Sequence, residues 1–286
     1  MIGFTSKDSP VIIPDKDFPT CHPSRKAKPR EGLSAVAGFY QSESVCARGT
    51  VTTFGSCRID TPVTEERQES VDVAGEAPVH AIADIISPLR FGTYLVAAGH
   101  DPRRALELYL WNAKLGEAFH LPVQAVEVGL RNRVSDGLER QFGPDWWRCR
   151  DYARTATAKA VADIEVVARR LQKRNKEVTT GQIIAGLSFG FWVAMLDRRY
   201  NPPVWGAQLL SAFPYLPRDV SRKKLNEEVR EIAKFRNRIS HHEPIFKRDL
   251  SADYARCFRV LTWLCPEKAA WIRPHCRVQQ VLRARP

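Results

Sequence analysis

Methionine is almost missing from this 286-residue chain, which has two. They are Met1 and Met195, and from the gap between them we expect translation to start at an internal valine codon such as Val71 or Val79. N-terminal mass spectrometry of the native protein settles that point. The seven cysteines are odd in number and show no Cys-x-x-Cys spacing. This argues against a disulfide framework or a zinc ribbon and suits a reducing cytoplasm. The opening residues lack a basic stretch leading into an apolar one, so a secretory signal is not expected. The most apolar run is IIAGLSFGFWVAML, residues 183–196. At about 1.5 Å per residue it falls short of a hydrocarbon core about 30 Å thick, so no membrane span is expected. There is no Walker loop, GxGxxG or HExxH, which removes the commonest nucleotide-binding and metalloprotease classes. After residue 80 there is no strand alternation of useful length and no internal repeat.

What the chain does have is positive charge and enough apolar content for a core. Lys and Arg number 44 against 32 Asp and Glu, a formal net charge of +12, and 44% of residues are hydrophobic. Such a balance attracts polyanions, nucleic acid among them, although a basic composition alone identifies no partner. Residues 1–80 carry prolines at 10, 14, 19, 23, 29, 62 and 78 that interrupt every candidate period. They are expected to form a low-order extension. Residues 81–286 are expected to form an all-α domain.

Several helix signals stand in that second part. Asp101 is placed to cap a helix with Pro102 at its first position. The long amphipathic run that follows is expected to kink or divide at Pro122. A third helix is expected through ARTATAKAVADIEVVARRLQKRNK. Thr179 or Thr180 caps the apolar run at 183–196, which reads as the centre of the bundle. A further helix begins near Asp219 with Leu225, Val229, Ile232 and Phe235 in register, and Pro244 is expected to stop it. A last helical region runs through SADYARCFRVLTWLCPEKAAWIR.

The helix before Pro244 ends in KFRNRISHHEPIF, residues 234–246. Within it Arg236 and His241 stand five positions apart with Asn237 between them. That spacing is cheap. Its surroundings are more specific, because LYLWNAKLGEAF, VQAVEVGLRNRV, a Trp-Trp pair and FGFWVAML precede it in that order. Over roughly residues 85–265 the chain resembles the Abi-like (abortive-infection, Abi_2-type) family of the HEPN superfamily. The resemblance implies a HEPN-type helical bundle that pairs with a second copy, bringing two Arg/His pairs together as a ribonuclease site. It implies an endoribonuclease of phage defence or a toxin, the latter with an antitoxin as its partner, and it implies no cofactor and no metal.

The residues bear on that chemistry independently. On a helix, five positions turn the chain about 140°, so Arg236 and His241 do not share a narrow face and a site using both gains from a second subunit. Asn237 and His241, four apart, do face together, so the amide can orient the imidazole. Cleaving RNA without a metal requires a base for the 2′-hydroxyl, an acid for the leaving 5′-oxygen and a cation for the phosphorane-like charge. His241 suits proton transfer and Arg236 suits phosphate binding. Lys234 and Arg238 on the same helix are candidate RNA contacts, as are Arg131 and Asn132 on the earlier one. Glu127, four positions before Arg131, either orients an arginine in the cleft or forms an ordinary i,i+4 pair with Arg131.

Competing readings carry less. The pairs Cys21-His22 and His275-Cys276 do not have zinc spacing. Trp111, Trp146, Trp147, Trp192 and Trp263 fit a core better than a base-stacking platform. The basic residues Arg222, Lys223, Lys224, Arg230, Lys234 and Arg238 are offset by Glu227, Glu228 and Glu231, as a solvated face would be. Gly186-x-Ser188-x-Gly190 lacks the preceding strand of a hydrolase elbow. The main alternative is a catalytically inactive HEPN module that binds RNA or a protein partner.

Overall fold

The computed structural model describes residues 79–286 except 202, 207 and 208. The extension assigned to residues 1–80 therefore lies almost wholly outside the described residues, as do Val71 and the Cys21-His22 pair. Val79 already opens α1 (Val79–Ile86), and α2 (Pro88–Ala97) follows. Among the described residues every regular element is helical, as expected of an all-α chain.

The axis of the fold is α3 (Pro102–Phe142), 41 residues long and so about 61 Å from end to end. It starts where expected: the Asp101 carboxylate accepts from the amides of Arg103 and Arg104 at 2.9 and 3.2 Å, with Pro102 at the first position. Pro122 does not divide it. The ring removes one intrahelical bond, but Pro122 is buried and its apolar neighbours Phe119, Val123 and Val126 hold the helix against the core on either side.

The expected third helix is two. After α4 (Arg150–Thr155) the Thr157 side chain accepts from the Ala160 amide at 3.0 Å and starts α5 (Ala158–Gln172). The apolar run after Thr179 is also two helices. Thr179 and Gln182 form a capping box on α6 (Thr180–Gly186), and Ser188 caps α7 (Phe189–Ala194) by accepting from Phe191. The serine of the GxSxG pattern is thus a helix cap. Nor is this run the centre of the bundle, since α3 is the element packed by most of the others.

Past the short α8 (Leu209–Ala212) comes α9 (Arg222–Ser240), capped by Ser221, two residues after Asp219. Leu225, Val229, Ile232 and Phe235 are its buried stripe, and Phe235 meets Phe119 of α3 edge to face with ring centroids 4.8 Å apart. The last region divides at Cys265-Pro266 into α10 (Leu250–Leu264) and α11 (Pro266–Ile272). A final α12 (Val278–Arg283), not foreseen from the sequence, is tied to α3 by the Trp111 indole donating to the Val281 carbonyl at 2.7 Å. Of the tryptophans considered for stacking, 111, 146, 192 and 263 are buried, and Trp147 is half-buried.

One glycine of α3 has a packing requirement. A Cβ added to Gly137 would sit 2.6 Å from Cζ3 of Trp205, whose ring is 1% exposed and whose indole is anchored to the Met195 carbonyl at 2.7 Å. The indole has no room to yield. Gly137→Ala is therefore expected to destabilise the fold by about 1–3 kcal/mol in denaturant melts.

Candidate functional site

The motif helix ends on His242 and Glu243, for which capping or solvent exposure is the role expected from their place after the motif. His241 is the last half-helical residue, His242 follows with φ 54, and Glu243 closes the turn. The His242 amide donates to the Ile239 carbonyl at 3.0 Å and the Glu243 amide to the Arg238 carbonyl at 2.9 Å. This pair of bonds is a Schellman termination with His242 in the left-handed position where glycine is usual. The helix thus stops before Pro244 acts on it.

The strand of chain after this turn is held from α3. Asn112 is 8% exposed, and its Oδ1 accepts from the amides of Ile245 and Phe246 at 2.7 and 3.3 Å. A buried ionic group holds it from the other side. Asp253 of α10, 4% exposed, takes Arg248 through both carboxylate oxygens at 2.7 and 2.9 Å and Arg256 at 3.0 Å. Arg256 and Arg259 also reach Glu228 of α9, at 3.3 and 3.5 Å, and Lys224 pairs with it at 2.9 Å. The end of α9 is therefore fixed by α3 and α10 together.

Glu228 gives this region a pH dependence. Burial pushes its carboxyl up, but the Lys224 hydrogen bond and the charges of Arg259, Lys224 and Arg256 outweigh it and hold the group below the usual glutamate range. A depressed folded value means the contribution is complete above the unfolded pKa, about 4.3, and is lost as pH falls through the folded one. Stability is expected to drop more steeply below pH of about 4.3 in the wild type than in Glu228→Gln, measured by chemical denaturation at stepped pH.

The candidate site residues separate into groups. Arg236 points to α3, where its Nε lies 3.4 Å from Glu127 Oε2, with the two side chains 38% and 23% exposed. Glu127 thus holds an arginine across the helix pair, and no Glu127–Arg131 ion pair is formed among the described residues. Asn237 Oδ1 receives Arg236 Nη1 at 3.5 Å. Its link to His241 runs through the backbone, the His241 amide donating to the Asn237 carbonyl at 2.9 Å, and not through the side-chain contact expected from their spacing. His241 is exposed at the helix end.

The other cations are placed differently. Arg131 is half-buried, with an Nε that has no hydrogen-bond partner, and Asn132 is exposed on the same helix. Lys234 pairs with Glu231 at 2.7 Å, and Arg238 pairs with Glu243 at 2.9 Å. Arg230 is held by Asp197, Lys223 by Glu227 and Lys224 by Glu228, while Arg222 donates to the Leu196 carbonyl. Of these basic residues of α9 all but Arg222 thus have a carboxylate partner, and Arg236 differs from its neighbours in being directed at another long helix.

Sequence reasoning missed several residues. Asn112 could have been found as a polar side chain between Trp111 and Leu115 on the apolar side of α3. The Arg248–Asp253–Arg256 group gave no signal, because arginines beside an aspartate on a helix usually face solvent. A groove of about 650 Å³ was missed as well. It lies between α2, α3 and the turn after α9, and its lining includes His120, His242, Tyr94 and Tyr109. No group of three or more His, Cys, Asp or Glu able to hold a metal ion occurs among the described residues. No helix of the described residues is long and apolar enough to cross a membrane. No family model, no curated protein and no solved structure matches the chain.

Proposed function

We propose that this protein is a HEPN-type endoribonuclease, similar to the Abi-like family, that cleaves RNA without a metal and acts in phage defence or as a toxin. The observation that carries the reading is the Glu127–Arg236 pair on α9, the helix that His241 ends. A guanidinium held at one edge by a carboxylate keeps its other donors for a phosphate, and the exposed imidazole at the end of the same helix can move a proton. The net charge of +12 favours a polyanionic substrate.

In this reading the 2′-oxygen attacks phosphorus as its proton is removed, the bond to the 5′-oxygen breaks, and that oxygen is protonated. The products are a 2′,3′-cyclic phosphate and a 5′-hydroxyl. Arg236 stabilises the charge on the phosphoryl oxygens and His241 serves one proton transfer. Because the two residues diverge by about 140° around the helix, two subunits complete the site between them. A second reading, a silent module that binds RNA or a protein partner, is favoured by the pairing of Lys234 and Arg238 with carboxylates, which leaves less free positive charge beside the motif.

The discriminating experiment is incubation of the purified full chain with total RNA in EDTA. Cleavage by the wild type and its loss in a folded His241→Ala variant support the enzyme. A wild type that binds RNA without cutting it supports the silent module.

A further inference from the structure

The groove beside the motif has a chemistry of its own. Its floor is Tyr94, 0% exposed, whose hydroxyl lies near the Asn112 side chain without completing a hydrogen bond. Burial pushes that phenol up to about 12, so it keeps its proton and remains a donor. Tyr109 packs on Tyr94 edge to face, ring centroids 5.3 Å apart, and is half-buried in the wall. At the mouth stand two exposed imidazoles, His120 from α3 and His242 from the turn after α9, with Glu117 beside them. His241 is not among the residues that line it.

The volume, about 650 Å³, falls in the range of small-molecule sites, and the mixture is one that a flat heteroaromatic group with a polar edge would satisfy. The half-buried Tyr109 ring offers a face on which a base can stack, and the exposed Glu117 carboxylate can meet its edge groups. The groove also runs toward the Arg236 site. His120 and Glu127 lie on one stripe of α3, seven residues and about 10.5 Å apart along the helix. His242 occupies a left-handed backbone position where a glycine would sit without strain.

We propose that this groove is a nucleotide subsite of the ribonuclease site. It takes the base of a nucleotide adjoining the scissile phosphate, with His120 and His242 at the sugar–phosphate, so that one subunit supplies two imidazoles. The proposal rests on the ribonuclease reading and extends it. One imidazole removes the 2′-hydroxyl proton as O2′ bonds to phosphorus. The P–O5′ bond breaks, and His241, as imidazolium, returns a proton to O5′, so protons balance and no electron is transferred. His242 faces this substrate from the groove, and His241, outside the groove lining, keeps the proton transfer to the leaving oxygen.

The test uses the full chain with two probes, 3′-CMP and 3′-AMP, titrated by calorimetry, together with cleavage of a single-stranded RNA in EDTA. His120→Ala removes an exposed side chain, and His242→Gly suits the left-handed position, so both are expected to fold. Binding of a 3′-nucleotide by the wild type is expected, weakened at least about tenfold in either variant, with cleavage slowed at least about a hundredfold. If the wild type cleaves RNA and both variants bind and cleave as it does, the groove proposal is overturned and the ribonuclease reading stands. Binding of a 3′-nucleotide that depends on His120, without any cleavage by the wild type, upholds the subsite and overturns the ribonuclease reading. If neither probe binds and no RNA is cut, both fall.

Discussion

Arg236→Ala is expected to lower RNA cleavage by about two to three orders of magnitude while moving the melting temperature by no more than about 4 °C. The two effects separate because of where the side chain stands. At 38% exposed, Arg236 keeps its head partly in water, and Glu127, left alone at 23% exposed, keeps partial access to it. A half-exposed pair of this kind is worth at most about 1 kcal/mol. In the proposed reaction the same guanidinium would face charge that develops in the transition state, where a lost donor costs far more. Arg236→Lys should recover little, because a lysine cannot hold Glu127 and a phosphate through one planar fork. Glu127→Gln keeps the arginine but loosens it, and is expected to fall between wild type and Arg236→Ala. Wild-type cleavage by a folded Arg236→Ala variant would remove Arg236 from the site.

The largest effect on stability is expected at Asp253. Asp253→Ala should cost about 3–5 kcal/mol and lower the melting temperature by roughly 6–20 °C, because it leaves Arg248 and Arg256 partly buried without their shared carboxylate. Those side chains are 24% and 23% exposed, and each bonds Asp253 directly. Arg248 also lies over the Phe235 ring at 5.3 Å, so its release should disturb the packing of α9 as well. Asp253→Asn retains hydrogen-bond acceptors but not the charge and should cost less. A loss below about 1 kcal/mol in Asp253→Ala would mean that the group is a surface ion pair in energetic terms.

The helical character of the chain was legible because three-to-four periodicity and capping residues are local signals. Asp101-Pro102, Thr179 and the stripe Leu225, Val229, Ile232 and Phe235 stand where the sequence put them. Breaks and continuities were harder. Pro122 reads as a helix breaker, yet the packing on both sides of it outweighs one missing hydrogen bond. Ser188 and Thr157 each start a helix in the middle of what reads as a continuous one, since a cap is seen only once the preceding residue leaves helical geometry. At the site, Arg236 and Glu127 were both named from sequence, but their contact joins residues far apart in the chain and no spacing rule reaches it. The Schellman turn at His242 was hidden for another reason. A histidine carries no sign of left-handed backbone, and Pro244 offered a simpler stop.

The central claim is metal-independent RNA cleavage, and the measurement closest to it is the identity of the ends produced in EDTA. Wild-type protein incubated with a defined RNA in the chelator should leave 2′,3′-cyclic phosphate and 5′-hydroxyl termini, and these should disappear with His241→Ala, Arg236→Ala or His242→Gly. Products bearing 5′-phosphate and 3′-hydroxyl ends, formed only when a divalent metal is restored, would contradict it.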